Sequence, residues 1–199
     1  MKLIYNSYCY SNVLLEKGLN YMYQNEIKKY LETERIYGKN DGILLSLYNL
    51  TKPQTLIIKN IYLGNAFNAR DYYNLIENKI GLVINCTLDI NNYFCNKDNL
   101  KYYRVSILDN NQSSILKYLN ETSDLIKDFI SKEPDKKILI HCFMGSSRSA
   151  TVLIAYLIKY QNYTRRDALS MIKSKRNIVN LNINFFNELG IFENMIRGI

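Results

Sequence analysis

The stretch HCFMGSSRS, residues 141–149, places the chain's only histidine, His141, directly before Cys142, with Arg148 six positions after that cysteine and Ser149 next to it. It follows KILI (137–140) and precedes ATVLIAYLIKY (150–160), whose apolar pattern is helical. The segment therefore reads as a buried strand, a tight loop over 142–148 and a helix that begins near Ser147. A loop that turns into a helix N-terminus aims several backbone N–H groups at one point, and the positive end of the helix dipole adds to them. Such a turn is an anion site. Gly145 lets the backbone curl closely around the anion, where a Cβ would obstruct it.

A cysteine set in this cradle has its thiolate stabilised by the same donors, which lowers its pKa and makes it a strong nucleophile at neutral pH. Arg148 supplies a planar, permanently charged fork that can hold two oxygens of a phosphoryl group through a transition state. The Ser149 hydroxyl is placed to hydrogen-bond the Cys142 sulfur and favour its departure when a covalent intermediate breaks down. His141, at the strand end, is expected to brace the loop rather than move protons. A free cysteine after an apolar strand is more often a small buried hydrophobe, and a lone histidine is usually structural. What favours chemistry is the conjunction of His, Cys, Gly, Arg and Ser at fixed spacing on a strand, loop and helix.

The elements that position these residues follow from the rest of the chain. The 199 residues, 47% of them hydrophobic, suffice for one sizeable core, so one catalytic domain is expected. From 12 to 36 apolar residues recur at Leu15, Leu19, Met22, Ile27 and Leu31 with the three-to-four spacing of an amphipathic helix, and the polar stretch YGKNDG (37–42) follows it. This predicts an N-terminal extension over 1–52 and a catalytic domain over 53–199. Within the latter, LIIKNIYL (56–63), LVINCT (82–87), YYRVSI (102–107) and KILIH (137–141) read as strands. Residues 69–78 and 115–131 read as helices, and three more helices follow Ser147. Strands alternating with helices imply the α/β class, a central, mostly parallel sheet flanked by helices. KILIH has the continuous apolar character of a central strand buried on both faces.

The net charge of +8 favours anionic partners. Arg165, Arg166, Lys173, Lys175 and Arg176 gather on one late helix, where a solvated face is the expected reading. Cys9, Cys86, Cys95 and Cys142 lack C-x-x-C pairing, and one histidine gives a zinc site little to work with, so free thiols in a reducing compartment and no metal are expected. No signal-peptide core and no run near the ~18 apolar residues of a membrane span is visible. The reading is a cytoplasmic protein, with nuclear entry open, and no cofactor.

H-C-x-x-G-x-x-R-S resembles the signature of cysteine-dependent protein phosphatases, and the surrounding sequence is similar to the dual-specificity branch. IYLGNAFNARD (61–71) with KIGLVINCT (79–87) is similar to the family's opening strand, helix and strand. SATVLIAYLIKYQNYTRRDALSMIKSKR (149–176) resembles its helices after the loop. NLNINFFNEL (180–189) resembles its closing P-N-x-G-F segment, with Asn182 and Phe185 fitting, Leu181 at the proline position and Asn184 at the glycine position. The resemblance covers about 53–197 and implies the protein-tyrosine-phosphatase-like fold with the N-terminal helical extension added to it. It also implies support of the loop by Asn85 and Asn182 beside His141.

A leaving oxygen also needs a proton, which a positioned carboxylic acid supplies for about 10²–10⁴-fold in rate. In the family this acid follows the strand before the long helix, and Asp109 occupies the matching place. Asp109 also opens the polar run DNNQ between a predicted strand and a predicted helix, as a loop acid would. The expected chemistry is attack by Cys142 on phosphorus, protonation of the leaving group by Asp109 and hydrolysis of the cysteinyl phosphate. Arg148 and the N–H groups of Phe143, Met144, Gly145, Ser146, Ser147 and Arg148 would hold the equatorial oxygens without a metal. The loop carries no charge between Cys142 and Arg148, which fits a single phosphate monoester on a protein rather than a phosphoinositide or an RNA 5′ end. Nucleic acid is not expected as a partner, and a monomer or weak dimer is. A phospho-binding module on the same fold is the main alternative. Low-molecular-weight phosphatase and rhodanese readings fit the motif's position or loop length less well. Cys86 follows Asn85 in a strand, where neighbours face opposite ways. If Asn85 faces the loop, Cys86 faces away and a disulfide with Cys142 is disfavoured.

Overall fold

The computed structural model describes residues 50–198, so the helix expected over 12–36 lies outside the described residues. Five strands, β1 (Thr55–Ile58), β2 (Ile61–Gly64), β3 (Ile80–Asn85), β4 (Lys101–Arg104) and β5 (Lys137–His141), form one sheet in the order β1-β2-β5-β3-β4. β1 and β2 are antiparallel, and the remaining pairs are parallel. β5 thus lies in the centre, with β2 on one side and β3 on the other.

Six helices complete the described fold: α1 (Ala66–Arg70), α2 (Tyr72–Glu77), α3 (Leu116–Lys132), α4 (Arg148–Gln161), α5 (Arg165–Lys175) and α6 (Ile183–Arg197). Side-chain parity divides them between the two faces. Leu82, Ile84, Ile138 and Ile140 project into the larger core, where α3 to α6 pack. Val83 and Leu139 project the other way, onto Ala69, Leu75 and Leu100. α4 is buried at every position from Arg148 to Ile158, as a helix apolar on all sides must be. It contacts α3, α5, α6, β5 and β2, so the helix that begins at the Cys142 loop is also the centre of the larger core.

The structure corrects several predicted boundaries. LIIKNIYL is two strands, since the chain reverses at Lys59-Asn60 and pairs Thr55 with Leu63. The helix predicted over 69–78 is also two. Asp71 ends α1 by donating its N–H to the Asn68 carbonyl and starts α2 by accepting from the Asn74 N–H. Asn65 caps α1 in a reciprocal box with Asn68, and its amide donates to the carbonyls of Leu50 and Lys52. Residues 50–52, placed in the extension by the expected boundary, are therefore tied to the sheet domain. β4 stops at Arg104, whose guanidinium turns to the Thr87 and Leu88 carbonyls and the Asn92 side chain. Among the described residues no helix is long and apolar enough to cross a membrane.

α3 begins at Ile115, which has no side chain able to cap it. Glu188 of α6 takes that place, its Oε2 accepting from the N–H groups of Ile115 at 2.8 Å and Leu116 at 3.1 Å. This carboxylate, 8% exposed, anchors the far end of the segment that carries Asp109. Replacing Glu188 with alanine leaves two N–H groups unsatisfied and is expected to cost about 2 kcal/mol. Glu188→Gln, which keeps an acceptor oxygen, is expected to lose about half as much. Urea unfolding of both variants checks the ordering.

Candidate active site

β5 delivers His141 to the carboxyl edge of the sheet, and the chain then turns over Cys142–Ser147 into α4. Gly145 makes that turn with φ of +70°. A Cβ there would come within 2.3 Å of the Gly64 carbonyl oxygen, so only glycine fits against the end of β2. The turn brings the Gly145 N–H to 3.2 Å from the Cys142 Sγ, and the Ser149 hydroxyl, from the first turn of α4, donates to the same sulfur at 3.3 Å. Cys142 itself is 2% exposed. Burial opposes ionisation of its thiol. Arg148, the Ser149 hydroxyl and the N–H groups of Ser149 and Ser146 outweigh that and hold its pKa below the ordinary thiol value.

Arg148 is buried, its guanidinium held by a hydrogen bond from Nη1 to the Ile107 carbonyl at 3.3 Å. Its Nε lacks a hydrogen-bond partner among the described residues and lies 3.6 Å from Asp109 Oδ2. The other Asp109 oxygen accepts from the Ser147 hydroxyl at 3.0 Å. Ser147 occupies the N-cap position of α4 yet makes no side-chain cap. Its hydroxyl donates to Asp109 and accepts from the Asn182 N–H at 3.1 Å, which leaves the α4 N-terminal amides for a ligand. A cavity of about 520 Å³ opens above these groups, bounded by Asp109, Asn111, Phe143, Met144, Leu181 and Asn182 around Cys142 and Arg148.

The support of the loop differs in part from what the family resemblance implied. His141 is buried, with Nδ1 3.4 Å from the Cys142 carbonyl oxygen, a bond it can make only as donor. Burial pulls its pKa down to about 4, so it is neutral at neutral pH. Asn182 reaches the loop through its backbone, while its side chain caps α6 by accepting from the Asn184 N–H. Asn85 does not brace the loop with its amide. Its side chain donates to the Ile90 carbonyl and the Asn92 side chain and accepts from Thr87, so it orders the segment after β3. The parity argument for Cys86 is corrected with it. Asn85 pairs with His141 across the ladder, and Cys86 lies with Cys142 in the larger core, on one side of the sheet. The geometric objection to a Cys86–Cys142 bond is gone, although burial, above all, raises the Cys86 pKa and keeps it a thiol.

The basic group on α5 is likewise no simple solvated face. Arg165 lies over the Phe186 ring and donates to the Phe186 carbonyl, and Lys175 donates to the Ile57 carbonyl. Arg176 is 3% exposed and donates to the carbonyls of Met144, Gly145 and Pro53 and to the Thr55 hydroxyl. A signal for it exists in the sequence: Arg176 continues the four-residue spacing of Ala168 and Ile172, both fully buried. Ser146 completes the fastening, donating to the Ile178 carbonyl and accepting from the Asn180 N–H. Leu181 and Asn184, where the sequence departs from the resembled pattern, thus flank a segment that still grips the loop.

Comparison with known proteins agrees with this geometry. The model of the dual specificity phosphatase catalytic domain matches residues 61–195. Protein phosphatase Slingshot of Drosophila melanogaster is 32% identical over 159 residues, 80% of this chain and 15% of its own length. Protein 123R of Invertebrate iridescent virus 6, which carries a tyrosine-phosphatase name, is 36% identical over 144 residues, 72% of this chain and 94% of its own. The crystal structure of human DUSP28 superposes with a TM-score of 0.68 at 23% identity, covering 73% of this chain and 96% of that one, a likeness of fold. The chain spans well under a third of the length of the Slingshot proteins it matches.

Proposed function

Because the chain belongs to the dual-specificity phosphatase family, we propose that it hydrolyses phosphate monoesters on proteins through a cysteinyl-phosphate intermediate. The observation that carries the reading is the Cys142 sulfur, buried at the floor of the cavity, taking N–H and O–H donors from the loop and α4. Cys142 attacks phosphorus in line with the leaving oxygen, and Asp109 gives that oxygen its proton. Water then attacks the cysteinyl phosphate with Asp109 as base, and the Ser149 hydroxyl eases the departure of the thiolate. Arg148 Nε, which has no hydrogen bond among the described residues, and the amides from Phe143 to Arg148 hold the three equatorial oxygens. The reading supposes a catalytic unit over 53–199, extended by the tied residues 50–52, and a cytoplasmic, monomeric or weakly dimeric protein.

The retained nucleophile and acid favour catalysis over a module that only binds phosphorylated partners. p-Nitrophenyl phosphate hydrolysis tests this: wild-type turnover is expected and Cys142→Ser is expected to have none above background. Equal rates would leave the binding module.

The rate needs Cys142 ionised and Asp109 protonated, so kcat/KM is expected to rise and then fall with increasing pH. Because its donors lower the Cys142 pKa, the rising limb, where the thiolate forms, lies below the ordinary thiol range. Asp109→Ala is expected to remove the falling limb and to slow an alkyl phosphate about 10²-fold more than p-nitrophenyl phosphate. Equal losses on both leaving groups exclude Asp109 as the acid.

The exposed Phe143 and the apolar Met144 and Leu181 at the cavity rim suit a peptide, and no charged side chain between Cys142 and Arg148 offers a further phosphate a counter-ion. A panel of substrates is expected to give phosphotyrosyl peptides the highest kcat/KM, phosphothreonyl and phosphoseryl peptides less, and phosphoinositides and triphosphorylated RNA least. An inositol lipid or RNA 5′ end above the phosphotyrosyl peptide reverses the substrate class.

A further inference from the structure

Arg176 is a cation buried without an acid: its four hydrogen bonds all go to neutral oxygens, and no carboxylate lies within ion-pair distance of it among the described residues. Burying a charge this way is costly unless it has another use. Two of its bonds show the use. Nη2 donates to the Met144 carbonyl at 3.3 Å, and Met144 shares a peptide group with the Gly145 N–H that points at the Cys142 sulfur. Nε donates to the Gly145 carbonyl at 3.0 Å, and that peptide group ends in the Ser146 N–H, the next donor toward the same sulfur. A guanidinium on the carbonyl end of a peptide draws electron density from its N–H end and strengthens the bond made there. It also fixes the direction of the group, carbonyl outward and N–H inward. Nη1, on the Pro53 carbonyl at 2.9 Å and the Thr55 hydroxyl at 3.1 Å, braces the guanidinium against the entry to β1.

We propose that Arg176 is a positioning residue for the reaction, a second cation that from behind the loop aims and polarises the Met144–Gly145 and Gly145–Ser146 peptides toward the Cys142 thiolate and the bound phosphoryl oxygens. The proposal rests on Cys142 being the nucleophile. It assigns to the residue that ends α5 a part in the chemistry that touches no substrate atom. Burial lowers the Arg176 pKa to about 10, and the nearby Cys142 charge opposes that fall, so the guanidinium stays charged throughout the working pH range.

The test is the pH dependence of alkylation of Cys142 by iodoacetate, read by peptide mass spectrometry in the full chain. Exposed Cys95 of the same molecule serves as internal reference, and circular dichroism melts report folding. In the wild type Cys142 is expected to react at lower pH than Cys95. Failure of that comparison overturns the nucleophile itself, independently of Arg176. Arg176→Met is expected to cut the Cys142 rate at about pH 6 roughly tenfold, with little change where the thiol is fully ionised and none at Cys95. Arg176→Lys, which keeps the charge but loses the two-carbonyl fork, is expected to fall between them. A purely structural arginine would lower the melting temperature and leave the Cys142 profile where it was. That unshifted profile in folded Arg176→Met, or in Arg176→Lys should the methionine variant not fold, overturns the proposal.

Discussion

A sulfur drawn toward negative charge while almost fully buried is the constraint to which the rest of this molecule answers. Removing the Cys142 thiol from water favours its neutral form, and only close donors and positive charge reverse that preference. The loop backbone and the Ser149 hydroxyl supply the donors. Backbone N–H groups converge on one point only when the chain turns tightly, which requires a left-handed residue at 145 and a helix starting at once afterward.

A loop that turns all its N–H groups inward turns its carbonyls outward, and these also need partners. The fold meets that demand from separate directions. Ala66 donates to the Phe143 carbonyl, Arg176 to those of Met144 and Gly145, and Asn180 to that of Ser146. None of these donors lies in the loop, and each comes from a different element or turn. The cradle is thus held open by the packing of α1, α5 and the 178–182 segment around it. The central burial of α4 gives α5 and α6 a common base.

Asp109, the proposed proton donor, is placed by the same set of contacts. Ser147 leaves its own helix uncapped so that its hydroxyl can bridge Asp109 and the backbone of Asn182. Ile107, two residues before Asp109, accepts from Arg148. On the other side of Asp109, Glu188 fixes the start of α3 by gripping the N–H groups of Ile115 and Leu116. Asp109, Arg148 and Cys142 therefore share one set of braces, and the distance between them is set by packing of α3 on α6 as much as by the loop.

The residues of the proposed chemistry are legible in the sequence because they are written locally. His141, Cys142, Gly145, Arg148 and Ser149 lie within nine residues whose strand, loop and helix character follows from apolar spacing, and Asp109 opens a polar run between two patterned segments. The α/β class and the central place of KILIH were legible for the same reason. Tertiary structure alone decided what depends on distant partners. Arg176 reaches Gly145 across 31 residues and Glu188 reaches Ile115 across 73, and neither side chain announces its partner in its own neighbourhood. The facing of Asn85 and Cys86 was decided the same way. A strand's alternation says that two neighbours point apart, but which of them meets Cys142 depends on the register of β3 against β5, and that is fixed by the packing of both faces of the sheet.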